Sequence, residues 1–154
     1  MFRNQLTIKQ QIYNHYLEHI NDRIQNYREM ISDLAEDAQN DAKGSAGDKH
    51  ETALSMMHIE QEKLNYKLKQ VLEQKQVLES IDIDKVNKKV GIGSLIQTNT
   101  FLFFMSTALP KITIDNKDIV ALSPNSPLGK IMHGKEVNDK FEFNGMKYDI
   151  YLIL

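Results

Sequence analysis

Up to Ser80 the chain contains no proline and only two glycines, Gly44 and Gly47, and its apolar residues return at alternating steps of four and three. Tyr13, Leu17, Ile20, Ile24, Tyr27, Ile31 and Leu34 keep that rhythm before the glycines. Met57, Leu64, Leu68, Val71 and Leu78 keep it afterwards, with Glu60 and Lys75 as polar interruptions. Such spacing gives a helix one apolar seam. Leu34 with Met57, Ile31 with Glu60, Tyr27 with Leu64 and Ile20 with Val71 all share a midpoint between Gly44 and Gly47. The two seams are therefore expected to face each other in an antiparallel pair. Glycine supplies the positive φ that a tight turn between helices needs. Ala35, Ala38, Ala42, Ala46 and Ala53 gather toward this end and would let the helices approach closely. At about 1.5 Å per residue the returning helix, Asp48 to Glu79, spans roughly 46 Å. That is too long to be buried against the small domain that the rest of the chain can form.

Beyond Gly91 the pattern changes to runs rich in Ile, Val, Phe and Thr, punctuated by Asn, Asp, Gly and Pro, which reads as strands and turns. "IGSLIQTNTFLFFMSTA", "KITIDNKDIVALS" and "KFEFNGMKYDIYLIL" are the strand segments, with Asn144-Gly145 a hairpin turn. Ser126 before Pro127 reads as an N-cap followed by proline at the first helical position, leading a short helix that ends at Gly134. The fold class is α+β. An antiparallel α-helical coiled-coil hairpin is expected over 1–80 with its tip at 43–51, a linker over 81–90, and a small antiparallel β domain with one short helix over 91–154.

Composition narrows the function. A chain of 154 residues, 41% hydrophobic and 26% charged, is an ordinary globular one. The formal charge of −2 gives no global attraction to nucleic acid, which argues against autonomous DNA or RNA binding. There is no cysteine, hence no disulfide, no thiolate zinc site and no thiol nucleophile. "MFRNQLTIKQQIYNHY" lacks the apolar run of a signal peptide or membrane anchor, so cytoplasmic residence and a monomer are expected.

The stretch "KGSAGDKHETA", Lys43 to Ala53, sets two carboxylates directly behind the glycines. Asp48 is a good N-cap, and Glu51 three residues later completes a capping box, both favoured by the helix dipole. That purely structural reading competes with a functional one, in which acids at the end of a slender hairpin carry a divalent ion to a place the rest of the protein cannot reach. Mg²⁺ wants near-octahedral oxygen ligation, so two exposed acids would need a partner to complete the shell.

"GDKHETALSMMHIEQEKL" resembles the tip motif of the Gre transcript cleavage factors, the GreA and GreB family, with the motif's carboxylates on Asp48 and Glu51 and its alanine on Ala53. "ALSPNSPLGKIMHGKEVNDKFEFNGMKYDI", Ala121 to Ile150, resembles the family's C-terminal signature of Ser-Pro, short helix, Gly-Lys, acidic turn and closing hairpin. Together the likeness covers nearly the whole chain. Thr52 stands where the family usually has Asn, and Leu54 and Ser55 where it has Glu and Tyr, so this looks like a divergent branch. The resemblance implies an FKBP-like C-terminal domain that docks at the rim of RNA polymerase's secondary channel, through the loop that here is Asn125, Ser126 and Pro127. The alternative is that Ser126 and Pro127 only start a helix. It further implies that Asp48 and Glu51 help the polymerase hold a second Mg²⁺ for cleavage of backtracked RNA. The chain would not be an enzyme by itself. Lys43, Lys49 and Lys63 are candidates for holding the nascent RNA, against the reading that they are simply solvated.

Three signals carry less. "HYLEH", His15 to His19, matches a metalloprotease pattern, but a two-helix hairpin offers neither a cleft nor an evident third ligand. "GIG" at Gly91 to Gly93 precedes a strand and is no phosphate loop. His50 reads as a solvated residue of the first helical turn, and Met56 and Met57 as seam and flank packing. Two rival functions remain: a polymerase-channel regulator that does not cleave RNA, and an FKBP-like folding helper with a coiled-coil arm.

Overall fold

In the computed structural model two helices open the chain, α1 over Phe2–Ala42 and α2 over Asp48–Glu79. The structure describes the backbone of residues 2–42 and 48–154 and the side chains of residues 8–40 and 51–154. The chain forms two compact units, residues 18–75 and residues 1–17 with 76–154. Among the described residues no helix is long and apolar enough to cross a membrane.

In the 18–75 unit α1 and α2 pack together along apolar seams. On α1, Ile20 and Ile24 are buried and Tyr27, Ile31, Leu34, Ala35 and Ala38 half-buried. On α2, Leu64 and Val71 are buried, and Ala53, Met57, Gln61, Leu68 and Lys75 half-buried. Steps of four and three from Met57 thus continue through Gln61, whereas Glu60, expected in the seam, is exposed. The physical reason is the heptad itself: a helix of 3.6 residues per turn keeps 57, 61, 64, 68, 71 and 75 on one stripe and turns position 60 away. Met30, Asp33, Leu34 and Asp37 of α1 line one groove with Glu60 and Leu64 of α2, and with only residues 43–47 between Ala42 and Asp48 the two packed helices run in opposite directions.

In the other unit six strands form one sheet: β1 (Leu95–Thr98), β2 (Leu102–Met105), β3 (Ile112–Ile114), β4 (Lys117–Leu122), β5 (Lys140–Phe143) and β6 (Met146–Ile153), in the order β3-β4-β2-β1-β6-β5. The sheet is mixed and not antiparallel throughout, because β2 and β4 pair in parallel, Leu102 beside Ile119 through Met105 beside Leu122. After β2 the chain must return before it can run parallel to it. Strand β3 makes that return at the sheet edge and turns into β4 through Asp115 and Asn116, both at positive φ. β4, with Ile119, Ala121 and Leu122 buried, suits the slot beside β2, while β3, with Thr113 exposed, suits an edge. "KITIDNKDIVALS" thus supplies two strands, β3 and β4, joined as a hairpin. The expected hairpin at Asn144-Gly145 forms, with φ of 52° and 78°.

One face of the sheet holds the core: Ile96, Phe103, Met105, Leu122, Phe141, Tyr148, Ile150 and Ile153, with Met132 of the short helix α3 (Pro127–Met132). Tyr148 stacks on Phe141 at 4.9 Å and meets Phe103 edge-on at 5.8 Å. Thr98 pairs with Ile150 but Gln97 pairs with Leu152, so Tyr151 is a bulge. The bulge lets Ile150 and Ile153, three residues apart, both face the core although strand residues otherwise alternate. All of β2 is buried, so its second face is covered too.

The first turns of α1 supply that cover. Tyr16 is fully buried, its ring parallel to that of Phe104 at 6.3 Å, and its hydroxyl donates to the Pro110 carbonyl at 2.9 Å. Burial pushes the phenol up to about 12, so it stays a neutral donor. Ile12 is buried one turn earlier. Tyr13 and Leu17 of the sequence seam are half-buried, while Ile12 and Tyr16 beside them are fully buried. Lys9, also fully buried, donates through Nζ to the Lys85 carbonyl at 3.1 Å, in the irregular 81–90 stretch. Burial lowers its pKa to about 8, against the opposing pull of Asp82 and Asp84.

Two measurements check these packings. With Tyr27→Cys and Leu64→Cys, a short bifunctional reagent should crosslink within one molecule; Tyr27→Cys with Lys75→Cys, about 16 Å further along α2, should not. The second concerns Lys9. Between about pH 8 and pH 10.5 the unfolded chain keeps the Lys9 proton and the folded chain has released it, so this group favours folding increasingly as pH rises. Thermal melts at pH 7.5 and pH 10 should show wild type gaining Tm relative to Lys9→Met; a constant difference would mean Lys9 titrates alike in both states.

Candidate functional site

The two acids behind the glycines sit where α2 starts. Asp48 is the first residue of the helix, and Glu51, exposed, lies three residues along on the same face. The side chains of Asp48, Lys49 and His50, and the whole of Lys43, lie outside the described residues. Lys63 is exposed, as is Ser55, and Leu54 is half-buried. Two carboxylates in the first turn of a helix lie where the partial positive charge of the dipole favours anions, and the Glu51 side chain is exposed. Such a pair fits an ion shared with another molecule's ligands better than one enclosed by this chain. Among the described residues no three His, Asp or Glu side chains gather closely enough to hold a metal ion.

The second candidate, Asn125 to Pro127, is held rigidly. Ser126 caps α3: its Oγ accepts from the Gly129 N–H at 3.0 Å and donates to the Ser123 carbonyl at 2.7 Å. Its backbone N–H donates to the same carbonyl at 3.1 Å, and Asn125 N–H donates to Ser123 Oγ at 3.1 Å. Pro127 follows at the first helical position, where a missing N–H costs nothing. The capping role expected for Ser126 is thus present, and it leaves Asn125 and Pro127 exposed at the surface. Gly134, with φ +78°, lies just beyond the helix, as a C-terminal glycine should.

Gly129 is the residue that sequence reading passed over. A Cβ there would lie 2.0 Å from the Ser123 carbonyl oxygen and 2.9 Å from Ser126 Oγ. The loop folds over its own helix so tightly that only glycine fits. The signal in the sequence is the glycine one turn after the cap, at a position where helix propensity alone would favour alanine. The full burial of Lys9, Ile12 and Tyr16 was likewise invisible, because α1 reads as one uninterrupted coiled-coil helix. His15 of the "HYLEH" pattern is exposed and meets Tyr16 edge-on at 6.0 Å.

Compared with models of known protein families and with characterised proteins, the chain matches none of them.

Gly129→Ala separates propensity from packing. Propensity predicts a gain of about 1 kcal/mol, whereas an overpacked backbone contact predicts a loss of at least about 2 kcal/mol. Denaturant titration should show the loss, with Lys130→Ala, exposed on the same helix, close to neutral.

Proposed function

We propose that this protein is a transcription elongation factor of the Gre type: it binds RNA polymerase, inserts its hairpin end into the secondary channel and stimulates cleavage of backtracked RNA by the polymerase active site. The observation that carries the reading is the placement of the Gly-Asp-x-x-Glu carboxylates, Asp48 and Glu51, at the start of α2, whose first residue follows the end of α1, the helix packed against it, by six positions. Asp48 and Glu51 would hold a second Mg²⁺ together with carboxylates of the polymerase. When bound, the ion stabilises charge on the attacking and leaving oxygens of the phosphodiester. The chain's own acids supply ligand charge and do not form a complete site, so it is not an enzyme by itself. Lys43, Lys49 and Lys63 would steady the 3′ segment of the nascent RNA, and the charge of −2 is consistent with no autonomous DNA binding.

The sheet domain is read as FKBP-like and as the docking module, with Asn125, Ser126 and Pro127 meeting the polymerase. Support comes from the rigid cap of α3, which presents that loop in one conformation and so lowers the entropy cost of binding. The setting is cytoplasmic, with no membrane. A monomer suffices for the mechanism.

One observation favours a second reading. Thr52, Leu54 and Ser55 replace the Asn, Glu and Tyr that the family carries, which removes an acid and an aromatic from the tip. A regulator that occupies the channel without cleaving RNA needs neither. An FKBP-like folding helper is the third possibility; it leaves the tip acids without a role.

Asp48→Asn tests capping against ligation, since Asn caps about as well as Asp. Asp48→Asn and Glu51→Gln should leave Tm and polymerase binding nearly unchanged while lowering cleavage in stalled complexes at least about a hundredfold, or about 2.7 kcal/mol. Equal cleavage by wild type and both variants would reduce the acids to caps. Binding without cleavage by wild type would establish the regulator.

A further inference from the structure

The groove between α1 and α2 in the 18–75 unit has an unusual lining. Its floor is apolar, Leu34 half-buried and Leu64 buried, with Met30 left 51% exposed at its side. Its rims are acidic and exposed: Asp33 and Asp37 one helical turn apart on α1, and Glu60 across from them on α2. From Glu29 to Asp37 the sequence of α1 carries Glu29, Asp33, Glu36 and Asp37 and no basic residue. On α2, Met56 precedes Glu60 by one turn and is 65% exposed. Of these two methionines Met30 lines the groove, and methionine is the side chain that adapts to differently shaped apolar partners.

The carboxylates do not converge on a metal ion, since no group of three acidic or histidine side chains with that geometry exists among the described residues. They flank the groove instead, so a ligand must match charge along both rims and apolar surface along the floor. The three carboxylates that line the groove disfavour a polyanion in it, although Lys63 lies one turn from Glu60 on α2. A basic amphipathic helix matches it: its apolar face meets Met30, Leu34 and Leu64, and its lysines or arginines reach Asp33, Asp37 and Glu60. The stretch from Met30 to Asp37 is two turns of helix, about 10 Å, which fits a helix of two to three turns. We propose that this methionine-sided acidic groove is a docking site for a basic amphipathic helical segment of a partner protein. The site is separate from the tip acids and does not depend on the transcription reading.

The test uses the purified full chain and a fluorescein-labelled peptide of about 14 residues, near the lower length limit of an isolated helix and able to complete its helix on binding, with leucine on one face and lysine on the other. Fluorescence anisotropy should show saturable binding that weakens in high salt, because the charges are exposed. A peptide with glutamate for lysine should not bind. Asp33→Lys with Asp37→Lys should raise Kd at least tenfold, about 1.4 kcal/mol, with Asp33→Asn and Asp37→Asn intermediate and unchanged circular dichroism for all. Met30→Ser should weaken binding without changing its salt dependence. Failure of wild type to bind below about 1 mM peptide, or equal affinity of wild type and the Asp33/Asp37 variants, would overturn the proposal. Neither result bears on RNA cleavage, which Asp48 and Glu51 test separately.

Discussion

Strand β2 is buried on both faces, and the sheet domain is organised around satisfying that demand. Its core side, Phe103 and Met105, closes against β6, α3 and the Phe141–Tyr148 stack. Its other side, Leu102 and Phe104, needs an apolar cover that the strands cannot supply from their own sheet. Tyr16 supplies it, with its ring on Phe104 and its hydroxyl on the Pro110 carbonyl. That single side chain uses both of its chemistries, since a tyrosine buried without an acceptor would lose a hydrogen bond worth about 1 kcal/mol and carry a desolvation penalty besides. The first turns of α1 are thus part of the sheet domain's core, although in sequence they open a coiled-coil helix.

The same domain shows how close approach fixes small features. Gly129 exists where the Ser123 carbonyl presses on the helix it precedes, and Ser126 serves that carbonyl and the Gly129 N–H with one hydroxyl. Tyr151 bulges so that Ile150 and Ile153 both reach the core. In each case a departure from regular geometry is compensated by a specific contact, which makes the exposed residues beside it, Asn125 and Pro127 above all, well defined in position. A surface fixed in this way is suited to recognition.

The helical unit works by a different logic. Its seam is apolar but interrupted by Gln61 and Lys75, and its outer groove holds exposed methionine between carboxylates. Polar seam residues give up some packing stability and help define register, while the groove leaves apolar surface available to a partner. Two zones of the helical unit carry the proposals: the acids at the start of α2, proposed as ligands of an ion shared with another molecule, and the acidic groove, proposed as a cradle for positive charge on an apolar face.

Much of this was legible in the residues alone. The period of 3.5 gave away two packed helices, because that signal is local and depends only on which residues can occupy one face; the turn expected at Gly44 and Gly47 lies outside the described residues. Asn144-Gly145 and Ser126-Pro127 announced a hairpin and a helix start for the same reason. The position of Glu60, one residue out of the seam, was misjudged because a single heptad position is weakly specified when Gln61 beside it is also polar. What only the tertiary structure decided was long-range: the parallel pairing of β2 with β4, the cover of Phe104 by Tyr16, the burial of Lys9 under Lys85, and the clash that reserves position 129 for glycine. Each brings together residues distant in the chain or backbone atoms whose approach leaves no mark on periodicity. A one-dimensional pattern records which face of an element is apolar, and it is silent on what that face will meet.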